Sequence, residues 1–432
     1  MAGTLQPSSP LGSDARRPDS VAPAMQPQHL RFLDGLRGLA AVWVVLCHAR
    51  WLLWEGYSGG YALHPQRYSL LGRAPVYLFS VFRNGHAAVI FFFVLSGFVI
   101  HLRYSRNLAR SGSLAFDAAG YLYRRARRLY PPLLFALLLT YALDMCGKAA
   151  GLPIYAAEGA GSSLPAGLMA PMSWAHTGPV HDAPALLANL TFMMTAPAPV
   201  WGSNCPLWSL HYEWWFYMLY PAFLVCSQRS IPVATAAICA LFAAGFEPGL
   251  WGGLFLRGIF SMMLCWWLGV LLADVCTGRI RIPYSRVALL LAAAPAAPFV
   301  RNPAVADLLT ALAMTGGIAA CFRLLETGRS LRLLERLGGL GDISYSLYVI
   351  HFPIFVFLSG WLIRRSPGHR LPMHSGWIVL GTAIVLSVAY VAHLLVEKPF
   401  TGSRRRRSAM RAEEKTIHES PSAGQLSGRP AV

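Results

Sequence analysis

An arginine and a histidine share one apolar helical segment near the start of the chain, in the run LDGLRGLAAVWVVLCH (33–48). Arg37 and His48 are eleven positions apart, which in an α-helix is about three turns and ~16 Å along the axis. The two side chains therefore share a helix face. This favours proton transfer at the histidine and anion or carbonyl binding at the arginine. The alternative is an arginine that reaches the membrane surface and a histidine bonded to a neighbouring helix.

Two further segments carry candidate binding or catalytic groups. Glu213 is an acid a few residues into an apolar, aromatic segment, WSLHYEWWFYMLYP, and an ionisable group in such a segment is a functional candidate. The run YRRARRLYPPLL precedes another apolar segment, and guanidinium groups bind phosphates in a bidentate way. A phosphorylated ligand arriving from the cytoplasm would meet these arginines first, although they also suit an ordinary positively charged anchor. They are Arg124, Arg125, Arg127 and Arg128.

A second histidine occurs in the run GDISYSLYVIHFPI, at His351. The favoured interpretation of His351 is a hydrogen bond between helices, so its replacement is expected to be mild. The run VEKPF closes the last apolar stretch, and Glu397 and Lys398 are interpreted as its end.

Composition indicates a membrane protein. Of 432 residues, 55% are hydrophobic and 13% are charged, with a mean hydropathy of +0.45, whereas a soluble domain has about 25% charged residues. Ten apolar stretches approach the length of a membrane span. We therefore predict an all-α, polytopic membrane helix bundle of about ten helices. The stretches are 36–54, 87–102, 129–147, 208–227, 231–247, 252–274, 285–300, 304–323, 344–363 and 376–396.

The basic residues predict an orientation. If the spans alternate, the arginine-rich segments 103–128, 275–286 and 324–343 fall on one side, and the positive-inside rule makes that side cytoplasmic. Both termini are then cytoplasmic, although several arginines fall on the outer side. The net charge of +18 does not favour nucleic-acid binding, because the charges cluster at helix ends. Attraction to anionic membrane lipids explains it better.

The long connection 148–207 lies outside in this orientation. It is a candidate for recognising a second substrate, and a disordered spacer is the alternative. Its candidate recognition residues are Trp174, His176, His181, Asp182 and Trp201.

Three regions follow from composition. Residues 1–30 are predicted to be a disordered leader, 31–401 the membrane domain, and 402–432 a disordered basic and polar tail. The eight cysteines are scattered and form no CxxC motif, so we interpret them as small hydrophobic side chains. We expect no disulfide and no metal site.

Six of these segments, in this order, resemble the acyltransferase 3 family of integral membrane acyltransferases. They are LDGLRGLAA with Arg-x10-His, FFVLSGF, RRxxR followed by LYP, WSLxxE followed by FYMLYP, ISYSLYxxH, and a terminal VEKPF. The resemblance covers about 30–400 and implies a core of about ten spans.

The resemblance implies transfer of an acyl group, often acetyl, from cytoplasmic acyl-coenzyme A to a hydroxyl group. The acceptor would be a polysaccharide, a lipid-linked sugar or a glycosylated small molecule, and the enzyme would lie in a bacterial cell membrane without a tightly bound cofactor. His48 matches the family's catalytic histidine and Arg37 its partner. Arg125 and Arg128 match the RxxR pair, which suits the coenzyme A phosphates, and Glu213 matches the acid of WSLxxE.

The chain departs from the family at the WSLxxE motif. The usual sequence is WSLSVEEQFY, and this chain has WSLHYEWWFY, so roles that rest on the second acid or the glutamine are unsupported. The tail after 400 is too short and too polar for the esterase-like domain of some members.

The resulting hypothesis places coenzyme A on the four arginines and its thioester beside Arg37. His48 deprotonates the acceptor, and Glu213 orients His48 or binds the acceptor. An acyl-histidine intermediate is a second route. A transporter or flippase for an anionic sugar or lipid is the alternative function.

Overall fold

The protein is described from a computed structural model, which covers residues 30–112, 116–155, 178–194, 199–247, 254–368 and 370–401. The predicted leader, apart from Leu30, and the predicted tail 402–432 lie outside the described residues. Within these ranges the chain is helical, and its only β pairing is an isolated bridge between Val180 and Gly202.

Helices of very different length make up the described chain. The α-helices, numbered in chain order, are α1 Arg31–Leu52, α2 Leu70–Ser80, α3 Gly85–Ser111, α4 Ala118–Ala149, α5 Ala183–Leu190, α6 Trp208–Arg229, α7 Ile231–Ala244, α8 Leu254–Cys276, α9 Tyr284–Ala288, α10 Pro303–Glu326, α11 Arg332–Arg336, α12 Gly338–Arg365 and α13 Gly376–Ala392.

The prediction of a polytopic helical membrane bundle is confirmed. Within the described ranges, seven helical segments are long and apolar enough to cross a membrane. Helix α6 has comparable length, but its Trp, Tyr and His residues make it less apolar, and α7 has only 14 residues. The seven segments are Arg31–Tyr61, Leu70–Ser111, Ala118–Ala149, Gly258–Cys276, Pro303–Glu326, Gly338–Arg365 and Gly376–Glu397.

The predicted stretch 285–300 does not form one continuous span. Helix α9 ends at Ala288, and 3-10 turns follow at Leu289–Ala293 and Ala297–Phe299. Pro295 and Pro298 interrupt this stretch, because proline lacks the amide hydrogen needed by a continuing helix.

Helix α1 packs closely against α12, and glycines make this approach possible. A Cβ atom added at Gly38 would collide with the backbone of Gly341 on α12, and one added at Gly341 would collide with the carbonyl of Asp34. Gly35 lies in the same way against the carbonyl of Leu334 on α11. Small residues allow helix backbones to approach in membranes. The glycines of LDGLRGLAA therefore allow α1 to lie close to its neighbouring helices.

The pair formed by α3 and α8 is built in the same way. An added Cβ at Gly97 would meet the carbonyl of Trp266, and one at Gly269 would meet the carbonyl of Val94. Gly97 and Gly269 therefore allow the backbones of α3 and α8 to approach closely.

A buried polar network ties α3, α6 and α8 together at one end. Asp274 on α8 is fully buried and bonds His101 at 2.9 Å, Ser105 at 2.5 Å and Arg279 at 2.7 Å. His101 also bonds the hydroxyl of Tyr220 on α6, at 2.8 Å. Because removing one partner of a buried ion pair is costly, this network fixes the relative position of the three helices.

Candidate active site

One cavity brings together Arg37, Arg125, Arg128 and Glu213, four of the seven residues selected as catalytic or donor-binding. Helices α1, α3, α4, α6 and α12 each contribute to its wall. Three guanidinium groups and one carboxylate line it, beside an apolar surface from α3. Its polar lining residues are Arg37, Ser96, Arg125, Arg128, Ser209, Glu213, Tyr217, Ser344, Tyr345 and Tyr348.

Arg37 is held by the beginning of α12. Its Nε donates to the carbonyl of Gly341 at 3.1 Å and to Ser344 Oγ at 3.0 Å. Its Nη2 donates to the same carbonyl at 2.7 Å and pairs with Asp34 at 3.2 Å. Among the described residues Nη1 has no hydrogen-bond partner, so this nitrogen is the donor that remains for a ligand.

Glu213 lines the same cavity as the three arginines. It accepts hydrogen bonds from the hydroxyl of Tyr217, one turn later on α6, and from Ser96 Oγ at 3.5 Å. The same tyrosine ring lies 5.6 Å from the guanidinium of Arg125. Glu213 makes no hydrogen bond to His48 within the described chain, so the orienting role suggested from the sequence lacks a contact.

The four-arginine cluster is divided by α4. Arg125 and Arg128 line the cavity, whereas Arg124 and Arg127 are exposed. Arg124 pairs with Asp117 at 3.7 Å. Arg128 makes no hydrogen bond within the described residues, although Glu213 is near enough to interact with its charge. Only half of the predicted phosphate-binding group therefore faces the cavity.

His48 bonds the second histidine. Its Nδ1 lies 2.8 Å from Nε2 of His351 on α12, and the two rings are stacked with centroids 5.0 Å apart. The expectation that His351 makes an interhelical hydrogen bond is met, and its partner is the candidate base itself. The accompanying expectation of a mild effect on replacement no longer follows.

The histidine pair lies next to the cavity but does not line it. Tyr348 separates them: it contributes to the cavity wall, and its ring centroid lies 5.9 Å from that of His351. The hydroxyl of Tyr348 bonds Ser209 at 2.6 Å. The cavity thus extends from Arg37 to within one helical turn of His351.

The described part of the connection 148–207 is anchored to the bundle. His181 bonds the buried Asp144 on α4 at 2.9 Å, and Trp201 donates to the carbonyl of Leu137 at 3.1 Å. Asp182 caps the start of α5. These three candidates have structural partners, and the candidates Trp174 and His176 lie outside the described residues.

His351 has a larger part in the site than the sequence suggested, because it bonds the candidate base. Glu397 ends the last long apolar helical segment, as expected. It is also buried and accepts a hydrogen bond from Ser346 at 2.6 Å on the helix that carries His351. A titratable residue inside an apolar stretch was the available signal for His351.

The chain belongs to the acyltransferase 3 family, because the family's acyltransferase domain matches residues 30–394. It is similar to Acyltransferase MdmB of Streptomyces mycarofaciens, with 28% identity over 92% of this chain and 99% of the relative. A shorter match, 31% identical, joins 29% of the chain to 52% of "Protein 2 in picA locus" of Rhizobium radiobacter. No solved structure matches.

Family and fold together define the class of protein. It is a multi-pass membrane acyltransferase that transfers groups other than aminoacyl groups. This class is an enzyme class, unlike the alternative of a transporter or flippase.

Proposed function

We propose that this protein transfers an acetyl group from cytoplasmic acetyl-coenzyme A to a hydroxyl group of a carbohydrate or glycosylated acceptor. The observation that carries the proposal is the cavity in which Arg37, Arg125 and Arg128 meet the single carboxylate of Glu213. Among the described residues that line the cavity, three guanidinium groups and one carboxylate leave an excess of positive charge, part of which Asp34 offsets through its pair with Arg37. Such a site suits an anionic donor.

The donor enters from the side that carries Arg124 and Arg127. These exposed arginines raise the positive potential at the entrance, which attracts the phosphates of coenzyme A. Arg125 and Arg128 bind phosphate oxygens, and the flexible arm of the donor extends along the cavity. Nη1 of Arg37 donates to the thioester carbonyl and offsets the negative charge that develops on its oxygen.

His48 acts as the general base. It removes the proton from the acceptor hydroxyl while the hydroxyl oxygen attacks the thioester carbon. A C–O bond forms and the C–S bond breaks. The proton passes from His48 to the departing sulfur, so the products are the acetyl ester and free coenzyme A.

The acceptor approaches from the outer side, where His48 lies near the end of α1. Its arrival there allows the thioester and the hydroxyl to meet without either substrate crossing the membrane fully. Residues 103–128 are cytoplasmic in this scheme, and 148–207 are outside. The enzyme then works in the bacterial cell membrane.

The test uses purified full-length protein in lipid nanodiscs. Acetyl-coenzyme A is supplied with a panel containing a methyl hexoside, an oligosaccharide and a glycosylated macrolide. Release of free thiol and acetylation of one member, detected by mass spectrometry, are expected. Release no faster than with heat-inactivated protein for every member, and for water, would contradict the proposal.

A further inference from the structure

The hydrogen bonds around His351 determine which of its nitrogens carries a proton. Nδ1 lies 2.7 Å from the carbonyl oxygen of Tyr348 and 3.2 Å from that of Leu347. A carbonyl oxygen only accepts hydrogen bonds, so Nδ1 of His351 must be the donor. In a neutral ring, Nε2 is then an acceptor.

The same argument carries over to His48. Its Nδ1 lies 2.8 Å from Nε2 of His351, and an acceptor requires a donor opposite. Nδ1 of His48 therefore carries a proton, and in the neutral ring the lone pair is on Nε2. The backbone carbonyl of Tyr348 thus determines the tautomer of His48 through His351.

The surroundings favour neutral rings. His351 is fully buried, and its other ring contacts are with Phe352, Phe355 and Tyr348. In the described part of the chain neither histidine pairs with a carboxylate. A doubly protonated His351 would reverse the bond to His48, but it would place an uncompensated charge in an apolar site, which is costly.

We propose that His351 is a positioning residue, which holds His48 in the tautomer whose Nε2 accepts the acceptor's proton. This inference rests on the proposed function, because it assigns a partner to the same base. His351 takes the place that a carboxylate occupies in a Ser-His-Asp triad, without bringing a negative charge into the membrane.

Three replacements of His351 separate positioning from packing. In His351→Gln the side-chain oxygen reaches about the place of Nε2 and accepts from Nδ1 of His48. His351→Leu fills a similar volume without an acceptor. His351→Asn places its amide near Nδ1, so it bonds the backbone but does not reach His48. Ser359→Ala, a buried change two turns later on α12, is the matched control.

The measurement is thiol release from acetyl-coenzyme A, with the fastest acceptor of the panel and with water. For His351→Leu and His351→Asn we expect kcat to fall at least about tenfold, with the KM for acetyl-coenzyme A within about twofold of the parent. His351→Gln should keep at least about fivefold more activity than either, and Ser359→Ala should match the parent. Size-exclusion chromatography and thermal unfolding report folding.

Equal losses in folded His351→Gln and His351→Asn, or a normal kcat in either His351→Leu or His351→Asn, would overturn the inference. If His351→Leu does not fold, the comparison of Gln with Asn still decides. The variant His48→Gln separates this inference from the proposed function. A normal rate in His48→Gln would refute the assignment of His48 as the base. An inactive His48→Gln together with a fully active His351→Leu would refute only the positioning role of His351.

Discussion

Nη2 of Arg37 lies 2.7 Å from the carbonyl oxygen of Gly341, so an arginine of α1 is fixed by the backbone of α12. The contact exists because the carbonyl of Asp34 occupies the space where a side chain of residue 341 would lie. The helix contact and the position of the guanidinium group therefore depend on the same glycine.

Replacing Gly341 with alanine should separate the two helices and displace Arg37. Overpacking of this kind costs about 1–3 kcal/mol, so we expect a lower unfolding temperature together with slower thiol release. The control is Gly339→Ala on the same helix, where an added Cβ meets no atom within 4 Å. That variant should be unchanged or more stable by up to about 1 kcal/mol. Equal behaviour of the two variants would refute the close-contact argument.

Replacing His48 should remove catalysis while the protein remains folded. His48→Gln and His48→Ala are expected to lower kcat about 100-fold or more, because general base catalysis contributes about 10²–10⁴-fold. The rate is measured by thiol release, and thermal unfolding checks the fold. His374→Ala, at an exposed histidine between α12 and α13, is the control and should be fully active. Near-normal turnover in His48→Gln would exclude His48 as the base.

Replacing Arg125 or Arg128 should weaken donor binding more than it slows the reaction. Contacts to a remote phosphate act equally in the ground state and the transition state, so the KM for acetyl-coenzyme A should rise while kcat changes little. Lysine should restore binding only in part, since its ammonium group lacks the planar fork. The exposed Arg124 and Arg127 are the matched controls, with smaller effects expected for alanine. A fall in kcat with an unchanged KM would contradict the donor-site assignment.

Replacing Asp274 should destabilise the bundle, because it leaves Arg279 and His101 without their buried carboxylate. Breaking a buried ion pair costs about 3–5 kcal/mol, and we expect Asp274→Ala to lower the unfolding temperature clearly. The control is Glu326→Ala, which breaks an exposed pair with Arg323 at 3.3 Å and should cost less than about 1 kcal/mol. Similar unfolding temperatures for the two variants would show that the network is not a structural tie.

Single cysteines should report the orientation of the protein. In a background in which the exposed Cys146 and Cys239 are replaced by serine, Ser58→Cys should react with a membrane-impermeant thiol reagent applied to intact cells. Ser330→Cys should react only after the cells are opened. Both serines are exposed in the structure. The reverse labelling would place the arginines of α4 outside and remove their access to cytoplasmic coenzyme A.

Composition and the lengths of the apolar stretches were enough to predict the helical membrane fold. A span requires about 20 apolar residues, and most of the predicted stretches coincide with helices of that length. Two stretches are exceptions: 231–247, where α7 has only 14 residues, and 285–300, which contains two prolines. A count of apolar residues does not register the helix break that prolines cause.

The sequence also indicated candidate functional side chains. An ionisable group in an apolar segment is costly to bury, and this cost makes it a functional candidate. That argument selected Arg37, His48 and Glu213 as candidates, and the resemblance to the family then gave them catalytic roles. A basic run before an apolar segment identified the four arginines of α4. It did not determine which pair faces inward, because that depends on the helices packed against α4.

Only the tertiary structure decided which of these side chains bond each other. His48 and His351 are separated by 303 positions, and local pattern carries no information about which faces of two distant helices meet. Their contact follows from the packing of α1 on α12, where glycines allow the backbones to approach. That packing, rather than the motif around either residue, gives His48 a histidine as its partner instead of Glu213.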